Sequence, residues 1–119
     1  MLNLIGCVRL AAKPVLEHTD QNVPVSSFTG VFNERRKSQE KIVEDAHFLD
    51  FVIWDKAAEF VCDRFDKGDL LYIEATPRQR KWTDGEGKKH SRIVFRVNSF
   101  ERVSRPNRQE TPPEENKDI

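Results

Sequence analysis

The segment Ala46-His47-Phe48-Leu49-Asp50-Phe51-Val52-Ile53-Trp54 alternates like a strand and then breaks at once into a helical pattern. Leu49, Phe51 and Ile53 share one face, and Phe48, Asp50, Val52 and Trp54 share the other. The first set reads as a core face. The second places two large aromatics beside a carboxylate, which is unusual for a core and ordinary for a binding surface. The competing reading is a strand buried on both sides, in a sandwich or at a subunit contact. Asp55 is a suitable N-cap. Ala57, Ala58, Val61, Cys62 and Phe65 recur at helical spacing, while Lys56, Glu59, Asp63 and Arg64 face water. Gly68 is placed to end the helix.

The other strands fall around this junction. Leu2 to Leu10 alternates, with Leu4, Val8 and Leu10 on one side. Val23 to Phe32 is rich in Val, Phe, Ser and Thr and forms a second strand, with Pro24 near its start. Asp69 to Trp82 forms a fourth strand and Ser91 to Val103 a fifth, with Ile93, Phe95 and Val97 inward. Thr83-Asp84-Gly85-Glu86-Gly87-Lys88 joins them as a hairpin turn. Ala11 to Asn22 reads as a polar connection. Asn33 to Asp45 is too polar to bury and reads as a long mobile loop. Pro77 cannot donate to a ladder and marks a bulge or an edge.

Five strands with one helix after the third is the element order of an OB-fold. The expected class is therefore mainly β: a five-stranded Greek-key barrel over residues 1–103, with one helix between strands 3 and 4. Residues 104–119 hold three prolines, many charges and no hydrophobic period, and read as a disordered acidic tail.

A basic hairpin carries the first functional signal. By strand alternation Tyr72, Arg78, Arg80 and Trp82 share one face, and Lys81, Lys88, Lys89 and Arg96 lie on the same hairpin. Cations interleaved with flat rings suit a ligand with phosphates and stackable bases, which is single-stranded nucleic acid, DNA or RNA. The bland alternative is a solvated edge blunted by charge. The net charge of zero hides an uneven distribution. From Thr76 to Arg108 there are ten Lys/Arg against three Asp/Glu, while the flanking regions are acidic. Such a field attracts phosphate locally.

Other functions find little support. His18, His47 and His90 are far apart, no cysteine spacing suits zinc, and no Gly-rich phosphate loop precedes a helix. Neither metal nor cofactor nor catalysis is expected. The two cysteines, Cys7 and Cys62, read as buried free thiols. No apolar run spans a membrane and the N-terminus is not a leader, so a cytoplasmic, nucleoid-associated protein is expected.

Three blocks resemble the bacterial single-stranded DNA-binding protein family. They are Asp50-Phe51-Val52-Ile53-Trp54-Asp55-Lys56-Ala57-Ala58-Glu59, Lys67-Gly68-Asp69-Leu70-Leu71-Tyr72-Ile73-Glu74, and Arg78-Gln79-Arg80-Lys81-Trp82-Thr83-Asp84. The resemblance implies a homotetramer or homodimer that stacks unpaired bases and serves replication, recombination or repair. It carries the family's stacking positions onto Phe48, Trp54 and Trp82. A fourth aromatic position falls near Glu34 or Arg35 and is not aromatic here. Ala75 replaces a family glycine, and the tail lacks the terminal phenylalanine, so tail-mediated partners are not carried over. These departures motivate a second reading, an OB-fold interaction or primosome-like module with weak or lost nucleic-acid binding.

Overall fold

The computed structural model describes residues 1–106. The elements are β1 (Leu4–Leu10), β2 (Glu17–His18), β3 (Pro24–Ser38), β4 (Lys41–Trp54), α1 (Asp55–Arg64), β5 (Leu70–Thr83) and β6 (Lys89–Ser104). The strands form one sheet in the order β1-β5-β6-β4-β3-β2, and an added β1–β3 pairing closes it on itself. This is the expected OB barrel, with a two-residue strand β2 inside what read as an irregular connection. The expected acidic tail touches the described chain only at its start: Ser104 ends β6, and residues 107–119 lie outside the described residues.

Alternation builds the core. Val8, Leu10, Phe28, Phe51, Ile53, Leu71, Ile73 and Ala75 point into the barrel, and Ala58, Val61 and Phe65 of the α1 region join the same cluster. Phe51 stacks on Phe28 at 5.4 Å and meets Phe95 at 5.8 Å. Gly30 lets β1 cross β3 closely: a Cβ there would sit 2.6 Å from Val8 Cγ2 and 2.9 Å from Phe51 Cε2. No side chain fits that crossing without displacing both neighbours.

Several expectations change. The segment Asn33 to Asp45 is not a loop. It is a hairpin arm in which β3 and β4 stay paired out to Ser38 and Lys41. Gln39 and Glu40 turn it with φ of 51° and 66°, the two left-handed residues of a type I′ hairpin. Arg36 pairs with Asp45 at 2.6 Å and His47 lies 3.2 Å from Glu34, so cross-strand polar contacts replace a core there.

The helix ends also differ. Asp55 makes no capping hydrogen bond and is itself the first helical residue, with φ of 65°. Asp tolerates this region better than most residues. The helix stops at Arg64, and Gly68 instead turns the following segment at φ 88°. Its N–H donates to the Leu10 carbonyl. Cys7 is exposed because it lies opposite the inward set of β1, and Cys62 is half-buried, so neither is a fully buried thiol. Ile93 is 50% exposed, because the β5–β6 hairpin projects past the end of the core.

The bulge expected near Pro77 sits in the partner strand. Glu74 pairs with Ser99 and Ala75 with Val97, so Asn98 of β6 is the extra residue. Alternation along β5 is therefore unbroken, whereas β6 changes facing. Phe95 and Val97 pack against the core before the bulge, and Phe100 does so after it. Pro77 lies beyond Ala75, the last β5 residue paired to β1, where its missing N–H faces a free edge.

Candidate nucleic-acid interface

The outer face of β4 and the outer face of the β5–β6 hairpin meet across an open groove of about 560 Å³. Val25 and Ser27 come from β3, Val52 and Trp54 from β4, Arg78 and Arg80 from β5, and Val94 and Arg96 from β6, with Glu17 at one end. Trp54 is the last residue of β4, 39% exposed, and its indole forms part of the groove lining. Unbroken alternation on β5 puts Arg78 and Arg80 on the same side as each other. Among the described residues, Arg78, Arg80 and Arg96 form no ion pair, so their charges are available to an anion.

A second depression of about 450 Å³ lies along the same hairpin toward its tip, lined by Gln79, Lys81, Trp82, Thr83, Lys89, His90 and Ser91. Trp82 is 46% exposed. Its cross-strand partner His90 stacks on it, ring centroids 5.2 Å apart and planes inclined by 16°. One indole face is thus covered by the imidazole, while Trp82 keeps about half of its surface exposed.

Asp84 organises the tip. Its Oδ1 accepts from the backbone N–H groups of Glu86 and Lys88, both at 2.9 Å, and its Oδ2 lies 2.8 Å from His90 Nε2. The His90 contact first, then the Lys88 backbone bond, hold the Asp84 carboxyl below its ordinary value. A carboxylate depressed in the folded state contributes stability in full above its unfolded pKa and loses it as pH falls through the folded value. Acidification below the ordinary carboxylate range should therefore loosen the turn and the Trp82–His90 stack. A pH series of the Trp82 indole NMR resonance checks this. An acid transition that persists unchanged in Asp84→Asn would assign the effect elsewhere.

The ten expected site residues separate into groups. Trp54, Arg78, Arg80 and Arg96 line the groove. Lys81, Trp82 and Lys89 line the tip depression, and Lys88 projects from the turn beside it. Phe48 is 64% exposed on the outer face of β4, six residues before Trp54, opposite Val31. Tyr72 does not join them. It shares its pleat face with Arg78 and Arg80 but lines neither depression, and it stands opposite Cys7 of β1. Its hydroxyl donates to Glu74 Oε2 at 2.6 Å, and that carboxylate raises its pKa. Sequence reasoning missed the Val25 and Ser27 floor, Val94, and the tip partners Asp84 and His90. Alternation of β3 against β4 was the available signal for the floor. The tip pair had no such signal, because it depends on which residues face each other across the hairpin.

Comparison with known proteins gives a consistent result. The Single-strand binding protein family profile matches residues 2–103. A single-stranded DNA-binding protein of Aquifex aeolicus is 34% identical over 121 residues, covering 100% of this chain and 82% of that protein. One from Caldanaerobacter subterraneus subsp. tengcongensis is 36% identical over 93 residues, covering 76% of this chain and 60% of that protein. Among solved structures, a Plasmodium falciparum SSB in complex with ssDNA superposes with a TM-score of 0.74 at 14% identity, covering 85% of this chain and 91% of that one. A Thermus aquaticus single-stranded DNA binding protein variant also gives 0.74, at 17% identity, covering 86% of this chain and 50% of that one. At those identities the structural likeness speaks for the barrel alone.

Proposed function

The chain belongs to the single-strand binding protein family, and from that premise we propose how this member holds its ligand. Residues 1–103 form a non-catalytic OB domain that binds single-stranded DNA with little sequence preference. Trp54, Trp82 and Phe48 stack unpaired bases, while Arg78, Arg80, Arg96, Lys81, Lys88 and Lys89 track phosphates. The observation that carries this reading is the groove in which one half-exposed indole stands among three arginines that form no ion pair among the described residues. Duplex DNA is disfavoured because its bases are already stacked on one another and offer the rings no free face.

The same reading places the protein at exposed single strands during replication, recombination or repair, in the cytoplasm at the nucleoid. No helix among the described residues is long and apolar enough to cross a membrane. Oligomerisation, as dimer or tetramer, fits the edge of β1. Leu4 to Val8 pair only with β5 on one side, and Ile5 is exposed beside them. Such an edge is a template for a second strand.

Tryptophan fluorescence titrated with a thymidine oligomer tests the proposal. Saturable quenching at low salt, weakening as salt rises, is the expected result. A duplex of equal length should quench far less. Equal affinity for the two, or no quenching, would remove base stacking from the function.

A further inference from the structure

The outer face of the hairpin holds a fourth arginine that the groove does not use. Arg92 of β6 stands directly opposite Arg80 of β5 in the ladder, so both project from the same face. Two like charges so placed repel each other. Arg92 does not lie with Arg78, Arg80 and Arg96 along the groove. Its Nη2 instead donates to Oδ2 of Asp50 on β4. Asp50 sits on the outer face of β4 between Phe48 and Val52, on the line from Phe48 to Trp54. The ion pair therefore spans from β4 to β6 where the two strands hydrogen-bond only at Phe51 with Phe95 and Val52 with Arg96. Both side chains are about half exposed, 49% for Arg92 and 44% for Asp50, within reach of a ligand on that face. Asp50 is the only carboxylate that forms an ion pair with an arginine of this face among the described residues.

Resting on the single-strand reading above, we propose that the Asp50–Arg92 ion pair is an affinity-setting clasp. It keeps the Arg92 guanidinium engaged at the point where a strand stacked on Trp54 must cross to reach Phe48. In this chain the carboxylate occupies the guanidinium that the crossing phosphate would otherwise take. Asp50 thus lowers affinity in two ways, by its own charge and by retaining Arg92. The second effect distinguishes it from any other acid near the groove.

Glu17 supplies the comparison. It lines the same groove and forms no ion pair among the described residues. Removing its charge relieves repulsion without releasing a cation. Asp50→Asn, Glu17→Gln, Arg92→Gln and the Asp50→Asn/Arg92→Gln double variant are titrated with a thymidine oligomer over a sodium chloride series. Each is first shown to fold by its circular dichroism and melting curve. Asp50→Asn should bind more tightly than Glu17→Gln at low salt. Its log–log salt slope should steepen by about 0.7, as one added phosphate contact on a single strand requires, or about fivefold in affinity over a tenfold salt range. In the Arg92→Gln background the same substitution should yield only the Glu17→Gln gain. Equal gains for Asp50→Asn and Glu17→Gln, or a gain that survives without Arg92, overturn the clasp and leave single-strand binding standing. Absence of binding by the unaltered chain overturns both.

Discussion

Replacing Trp54 by alanine should lower affinity for a thymidine oligomer by about five- to 150-fold, the range set by stacking worth about 1–3 kcal/mol per base. The reason lies in the groove. Trp54 is the aromatic ring among Arg78, Arg80 and Arg96, and the remaining lining is small or aliphatic apart from Glu17. Without the indole, phosphate contacts persist but the base they deliver has nothing to stack on. The loss should therefore appear in affinity with little change in salt slope, since no cation is removed. Trp82→Ala should cost less, because His90 already covers one face of that ring. Phe60→Ala is the control: Phe60 is another exposed aromatic, on α1, and lies outside both depressions of the interface. Anisotropy of a labelled oligomer is the proper readout, since removing Trp54 also alters intrinsic fluorescence. Unchanged affinity in Trp54→Ala would show that the groove is not where bases stack.

Phe51→Ala should be the most damaging core substitution, with a cost of about 3–5 kcal/mol. Phe51 is 1% exposed and joins three parts of the barrel. It stacks on Phe28 of β3, touches Phe95 of β6, and belongs to one of the two residue pairs that hold β4 to β6. Its ring also lines the close crossing at Gly30. A domain of this size has a total stability of about 5–15 kcal/mol, so the loss is a large fraction of it. At about 4 °C or more per kcal/mol, the melting temperature should fall by more than about 12 °C. Phe48→Ala, three positions earlier on the opposite face, should shift it little, because Phe48 is already in water. Thermal denaturation followed by circular dichroism compares the two. If Phe51→Ala is insoluble, Phe51→Leu should give a smaller shift in the same direction. Similar melting points for Phe48→Ala and Phe51→Ala would contradict the facing of β4.

The contrast between those two phenylalanines was legible in the sequence, because the two faces of β4 alternate with opposite character. The helix after β4 was legible for the same reason, through its 3.6-residue period. The arm from Asn33 to Asp45 was not. Both of its faces are solvated, so no apolar alternation marks it, and its turn residues are Gln39 and Glu40 rather than the Asn-Gly or Asp-Gly that announce such a turn. The tip was legible as a turn from Asp84-Gly85, but the role of Asp84 in holding His90 was not, because it depends on which residues face each other across the hairpin.

The candidate site divides along the same line. The aromatic and basic residues were visible as residue types at strand spacing: Phe48 and Trp54 on one strand, Arg78, Arg80 and Trp82 on another. Alternation is a property of each strand alone, so the chain by itself determines which side chains leave the core together. It does not determine which of them meet. That was decided by closure of β1 onto β3, by the parallel β4–β6 pairing, and by the extra residue at Asn98. Those long-range contacts bring Trp54 to Arg78, Arg80 and Arg96, leave Tyr72 outside that groove, and set Asp50 against Arg92. Each joins residues distant in sequence, and local periodicity holds no information about such distances.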